Sequence, residues 1–207
     1  QEVGTADMQY TCRIKSHFPA TNYLCCVDSL ENAQALSGFF NAQVMVLDVL
    51  IELGVQGGRC GCRDSQSALA LAKMVDMLPG LRLRGLTLYE GVLHGDNPQP
   101  KIEALLSQAA QLACALDKFV EGEFILSAAG SAWYDVVCNV WLVAKKPANC
   151  RIVIRPGCYI THDCGIYHDA QQAILTRDPI ACHNLGSLSN ALELAAYIQS
   201  VPEEGRA

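Results

Sequence analysis

Residues 150–163 read CRIVIRPGCYITHD. A short β-type apolar run, Ile152, Val153 and Ile154, ends in a base, Arg155, and a Pro-Gly corner follows at Pro156 and Gly157. Beyond the corner stand the aromatic hydroxyl of Tyr159 and the pair His162–Asp163. A buried strand that stops at Arg, Pro and Gly sets a fixed cation and close backbone N–H groups at the carboxyl end of a sheet. Parallel α/β folds bind their ligands at that end. The stretch therefore implies an anionic or heteroaromatic ligand at the end of a strand over Arg151–Arg155.

Working back from that strand, the same unit recurs. Asn22–Val27 reads as a strand, and Asp28 or Ser29 caps a helix running through Phe39. Val44–Leu53 is an apolar run interrupted only by Asp48 and Glu52, the pattern of a strand buried on both faces. A glycine-rich loop, Gly54 to Gly61, leads to Asp64 or Ser65 at the start of a helix to Leu78, with Leu69, Ala72, Val75 and Leu78 on one side. Pro79-Gly80 ends it. Leu81–Leu88 is the next strand, Tyr89–Pro100 a loop, and 101–119 a helix. Phe124–Ala128 is a strand, Ala129–Ser131 a tight turn, and Ala132–Ala144 a helix.

Five strands alternating with four helices imply a parallel sheet with right-handed crossovers. Periodicity leaves two architectures open: an open, doubly wound five-stranded sheet, or part of a (β/α)8 barrel, which needs about 250 residues when complete. The alternation stops after Thr161. From Leu185 the stretch LGSLSNALELAAYIQSVPEEGRA begins a different pattern.

Bulk properties restrict the partners. The chain has 207 residues, 51% hydrophobic and 17% charged, with a formal net charge of −6. Lys and Arg are not clustered, so no basic footprint for nucleic acid exists. Apolar runs fall short of the roughly 18 residues that a membrane span needs. The odd count of 11 cysteines, scattered through apolar runs, argues against a secreted disulfide framework and for a reducing, cytoplasmic setting with inert thiols.

Candidate chemistry gathers at strand ends. Arg59 lies inside the glycine loop GVQGGRCG, where its alternative is a solvated charge on a tight turn. Ala128–Ser131 joins a glycine and a hydroxyl at a helix start, which makes either a phosphate cradle at Gly130 and Ser131 or an ordinary serine cap. Tyr89, at the end of the third strand, is placed to stack on or hydrogen-bond a ligand; His94 nearby reads as a solvated loop residue. Cys158, His162, Cys164 and His168 lack the spacing of any common structural zinc site, so no metal is expected on this chain.

Four motifs in register carry a family resemblance: GVQGGRCGCR at 54–63, GLTLYEG at 85–91, LSAAGSAWYD at 126–135 and IRPGCYITHD at 154–163. Together they resemble the D-serine deaminase and D-threonine aldolase group, the "amino acid deaminases", which are pyridoxal-phosphate enzymes with an alanine-racemase-like barrel. The resemblance implies a partial (β/α)8 barrel over residues 1–175 and the opening of a C-terminal β domain over 185–207. It implies a D-amino-acid lyase of the deaminase or aldolase type, with an amino-acid racemase of the same fold, or a non-enzymatic phosphate-binding α/β domain, as alternatives. It places Arg59 near the cofactor's phenolic oxygen. On the same resemblance Gly130, Ser131, Gly157 and Cys158 would hold the phosphate, and Tyr89 and Tyr159 would complete the cofactor set. Arg155 would match the alanine racemase residue that faces the pyridine nitrogen, where aldolase-type members carry an uncharged residue.

The resemblance also implies what to expect outside these residues. The lysines at 15, 73, 101, 118, 145 and 146 do not stand in the family's Schiff-base lysine context, so the catalytic residue is unknown here. A divalent metal, where used, is bound beyond Ala207. The expectation is a piece of a longer enzyme, inactive alone, homodimeric at full length and acting on a small D-amino acid.

Overall fold

The computed structural model describes residues 4–178, 180 and 188–205. It falls into two compact units, residues 1–156 and 157–207, taken separately below.

The first unit is built on a parallel five-stranded sheet. In chain order its elements are α1 (Thr5–His17), β1 (Leu24–Val27), α2 (Leu30–Ala42), β2 (Leu47–Leu53), α3 (Ser65–Met77), β3 (Leu81–Leu88), α4 (Gln99–Leu116), β4 (Phe124–Ala128), α5 (Tyr134–Val143) and β5 (Cys150–Ile154). The sheet order is β1-β2-β3-β4-β5, with every pair parallel. This order decides between the two architectures. A doubly wound sheet reverses direction at a switch point and puts helices on both faces. Here each strand adds on the same side of the last, and successive helices pack on one another, α2 on α3, α3 on α4, α4 on α5. That is the winding of a barrel wall. The wall is open, with β1 and β5 at its two edges.

The helix-facing side of the sheet forms the core. Val27, Val49, Ile51, Leu53, Leu86, Phe124, Leu126 and Ala128 are at most 2% exposed. They meet Leu36 and Phe40 of α2, Ala68, Ala72 and Val75 of α3, Ile102, Leu106 and Ala113 of α4, and Val137 and Trp141 of α5, all buried. Trp141 donates its indole N–H to the Leu106 carbonyl at 3.0 Å, so its one polar atom is satisfied in the core. On α3, Ala72 and Val75 face inward as expected; Ala68 and Leu71 join them, while Leu69 and Leu78 are only half-buried. Ser29 accepts from the Asn32 amide at 3.2 Å and Asp64 from the Ser67 amide at 2.7 Å, which settles the two N-caps.

The opposite side of the sheet carries polar residues. The strand pairing shifts register between Val49 and Leu50 of β2, opposite Arg84 and Gly85 of β3. Gly85 sits at φ 145°, and a Cβ there would fall on the Ile125 carbonyl of β4. A glycine inside a strand marks such a close approach.

Two helices escaped the sequence reading. α1 precedes the first strand with a weak apolar face, only Met8 and Thr11 being buried. In the second unit, α6 spans Ile166–Arg177, beyond Thr161, where the strand–helix alternation of the sequence stops. This unit opens with a short 3-10 turn at Gly157–Tyr159. Residues 188–202 form no strand; 185–187 and 206–207 lie outside the described residues.

Candidate functional site at the carboxyl end of the sheet

Arg155 follows β5 directly, and its amide bonds to the carbonyls of Ala128 and Ala129 at 3.1 and 3.2 Å. Its side chain turns over the polar side of the sheet. Nε donates to Ser127 Oγ at 2.9 Å; Nη2 donates to Thr87 Oγ1 at 3.1 Å and to the Leu88 carbonyl at 2.8 Å. Ser127 in turn donates to the Val153 carbonyl at 3.0 Å. The guanidinium thus spans the ends of β3, β4 and β5, and all three acceptors are neutral. Among the described residues no carboxylate forms an ion pair with it. A cavity of about 300 Å3 runs over this side of the sheet, lined at its upper end by Cys26, Thr87, Ser127 and Arg155.

The glycine loop after β2 organises itself. Arg63 donates to the carbonyls of Val55, Gly58 and Cys60 at 2.8–3.0 Å, and Gly61 donates its amide to Asp28 at 2.8 Å. A Cβ on Gly61 would strike the Gly54 backbone. The glycines therefore serve a tight turn, and Arg63 ties its carbonyls together. Arg59 lies on the outside of that turn, with its guanidinium carbon 5.3 Å from the centre of the Tyr89 ring. At an exposed arginine such a cation–π contact is worth about 0.5–1 kcal/mol and favours this placement.

Tyr89 and its neighbour Glu90 grip the turn after β4. The ring of Tyr89 packs against Gly91 and Gly130, and a Cβ on Gly130 would come within 2.7 Å of it. Glu90 is fully buried. Its two carboxylate oxygens accept the amides of Ala129, at 3.1 Å, and Gly130, at 2.7 Å. Ala129 holds φ 73°, a left-handed conformation that costs a non-glycine residue about 1 kcal/mol. Sequence reading assigned no role to Glu90. The signal was an acid at the end of an apolar strand, opposite a small-residue turn rich in N–H groups. The Gly130 amide, expected to reach a phosphate, is donated to Glu90.

The thiols around this end are held protonated. Burial pushes the Cys26 thiol up, helped by nearby Glu52. Burial also raises Cys60, whose thiol donates to Glu52 Oε1 at 2.9 Å. Cys62 is pushed up to about 11 by burial and by Asp28. A thiol that stays protonated is a poor nucleophile, so these cysteines act as small packing groups and weak donors.

The structure brings Arg59, Tyr89, Gly130 and Arg155 to one end of the first unit. Ser131 lies in the turn ahead of α5, and Trp133, the N-cap residue, gives that helix no side-chain cap. Gly157, Cys158 and Tyr159 open the second unit, where Tyr159 is exposed and no atom comes within 4 Å of a Cβ built on Gly157. Among the described residues no group of three or more His, Cys, Asp or Glu is set to hold a metal. The described cysteines are free thiols. No described helix is long and apolar enough to cross a membrane.

Comparison with known proteins agrees with the sheet order. Residues 15–160 match the alanine racemase N-terminal domain. The chain belongs to this family. It is 30% identical over 122 residues to D-threonine aldolase of an Arthrobacter species, covering 56% of this chain and 32% of that protein. It is 27% identical over 116 residues to 3-hydroxy-D-aspartate aldolase of Paracoccus denitrificans, covering 53% and 30%. The crystal structure of D-threonine aldolase from Filomicrobium marinum superposes with a TM-score of 0.61 at 22% identity, over 78% of this chain and 42% of that one. The matched stretches thus span about a third of the curated relatives' length.

Proposed function

We propose that this chain is the cofactor-binding wall of a pyridoxal-phosphate-dependent lyase acting on D-amino acids that carry a hydroxyl on the β-carbon. The observation that carries the reading is Arg155: a cation at the carboxyl end of a family-matched sheet, held by Ser127, Thr87 and a carbonyl and cancelled by no acid. The relatives' substrates, D-threonine and 3-hydroxy-D-aspartate, share the β-hydroxyl and supply the substrate class.

The donor set fits the cofactor. Arginine stays protonated and donates only, so a guanidinium at this place suits an unprotonated ring nitrogen. Nη1 makes no hydrogen bond among the described residues and is the donor available for that contact. Arg59, stacked on Tyr89, offers a second cation for the ring's phenolic oxygen. Ser131, in the turn ahead of α5, is proposed to take the phosphate end. When bound, pyridoxal phosphate supplies an electron sink for the bond broken at the substrate's α-carbon. This chain's own contribution would be to bind and orient the ring and to keep its nitrogen free of a proton, which weakens the ring as an electron sink and is the feature that favours the racemase alternative.

A racemase of the same fold is the alternative. The lysines lie on helices, in turns or just after α5, none on a strand, so the chain alone is expected to bind without turnover. Titrating it with pyridoxal 5′-phosphate while following tryptophan fluorescence is expected to give saturable binding at one site per chain. No saturation up to millimolar concentration would sink the reading. Where this chain stands within a complete enzyme, D-threonine is expected to give glycine and acetaldehyde; L-allo-threonine as product, the result of inversion at the α-carbon alone, would move the assignment to racemase.

A further inference from the structure

We propose that Glu90 is a positioning residue for the cofactor's phosphate: an internal anion that sets the turn after β4 so that Ser131 and the start of α5 meet the ligand. The inference rests on the functional reading above and names a part of that site which no motif assigned.

Three observations carry it. Glu90 is fully buried, yet neither carboxylate oxygen meets a cationic side chain within ion-pair distance among the described residues. Both oxygens accept backbone amides, those of Ala129 and Gly130. Ala129 is held left-handed at φ 73°, which turns successive N–H groups the same way. Successive amides that converge in this way form an anion-binding nest. Ordinarily a nest of this kind holds a bound anion. Here the chain supplies the anion itself, from the neighbouring strand end.

Two consequences follow for a ligand. The amides of Ala129 and Gly130 are not available to a phosphate, so the contact from this turn moves one residue on, to Ser131 and the opening of α5. The turn's shape also becomes dependent on Glu90, because Tyr89 packs on Gly130 from the adjacent position and Arg59 stacks on Tyr89. Residues 89 and 90 therefore pass the position of the β2 loop to the β4 turn. Neutral Gln at 90 would keep one acceptor and turn an amide N–H toward the other backbone N–H. The nest would then lose one bond and meet a repulsive contact.

The test compares two probes on the full chain, pyridoxal 5′-phosphate and pyridoxal, which differ by the phosphate alone. Wild type is expected to prefer the phosphorylated probe. Glu90→Gln is expected to weaken pyridoxal 5′-phosphate at least tenfold while pyridoxal changes less than twofold, so the ratio collapses. Glu90→Asp, which keeps the charge, is expected to recover part of the ratio, and it replaces the Gln variant if that chain does not fold. A merely structural role would lower the melting temperature and weaken both probes alike. An unchanged ratio in both variants, with wild type binding normally, overturns the Glu90 inference alone. Wild type binding neither probe overturns it together with the functional reading.

Discussion

The polar side of the sheet has arginines at both ends, and the two ends use them differently. At the amino end, Arg82 forms a two-point pair with Asp48, its Nε 2.6 Å and its Nη2 3.0 Å from the two carboxylate oxygens. Arg84 adds a third contact to Asp48 at 3.4 Å, and Arg151 meets Glu123 at 3.1 Å. At the carboxyl end, Arg155 bonds to two hydroxyls and a carbonyl. A paired guanidinium is cancelled and becomes scaffold. One held by neutral acceptors is fixed in place and keeps its charge for a ligand. The contrast matches the rule that barrel chemistry sits at the carboxyl end and stability at the other.

Perturbing the boundary between the ends should have the largest effect. Gly85 lies at the register shift, and Gly85→Ala would drive a methyl into the Ile125 carbonyl from a φ of 145°. Urea unfolding is expected to show a loss of about 3 kcal/mol or more. At the amino end, Asp48→Ala strands two arginines around a site where the acid was 4% exposed. Removing one partner of a buried pair costs about 3 kcal/mol at the low end of its range, the level expected because Arg82 is half exposed to water. Affinity for pyridoxal 5′-phosphate should stay within twofold. If Asp48→Ala abolished binding at unchanged fold, the division of labour between the ends would be wrong.

Smaller effects sharpen the same picture. The folded Cys62 thiol titrates near 11, above its ordinary value of 9.0. Between those values the folded state holds a proton that the unfolded state has lost, so stability is full below pH 9 and falls as pH rises toward 11, by about 2 kcal/mol. Cys62→Ala should flatten that slope in melts taken across this range. Ser127→Ala removes the hydroxyl between Arg155 and the Val153 carbonyl and is expected to cost about 1 kcal/mol.

Much of the fold was legible because the strands are apolar and punctuated. Leu81–Leu88 and Phe124–Ala128 stand where their residue types put them, and Pro79-Gly80 and Asp64 bracket α3 as their chemistry requires. β2 begins at Leu47, not Val44, because Val44 adopts φ 55° in the turn after α2 and points out to water. α1 and α6 were missed because few of their residues are buried, so no apolar stripe announced them. The barrel winding was not legible in the periodicity, because strand order depends on pairing between distant residues; the four motifs in register carried that expectation, and the sheet order agrees with it. At the site, Arg155 declared itself by position. Glu90 was harder to find, because its partners are backbone amides forty residues away, and its one trace in the sequence is an acid at the end of an apolar strand.

The central claim is that Arg155 is the ligand's cation while the amino-end arginines are scaffold. Titrating pyridoxal 5′-phosphate into Arg155→Gln and Arg151→Gln, with unfolding measured on the same samples, tests it most directly. Arg155→Gln is expected to weaken binding at least tenfold, about 1.4 kcal/mol, in a chain that remains folded. Arg151→Gln, which breaks an exposed pair, should leave binding within twofold. Equal affinities for the two variants would contradict the account.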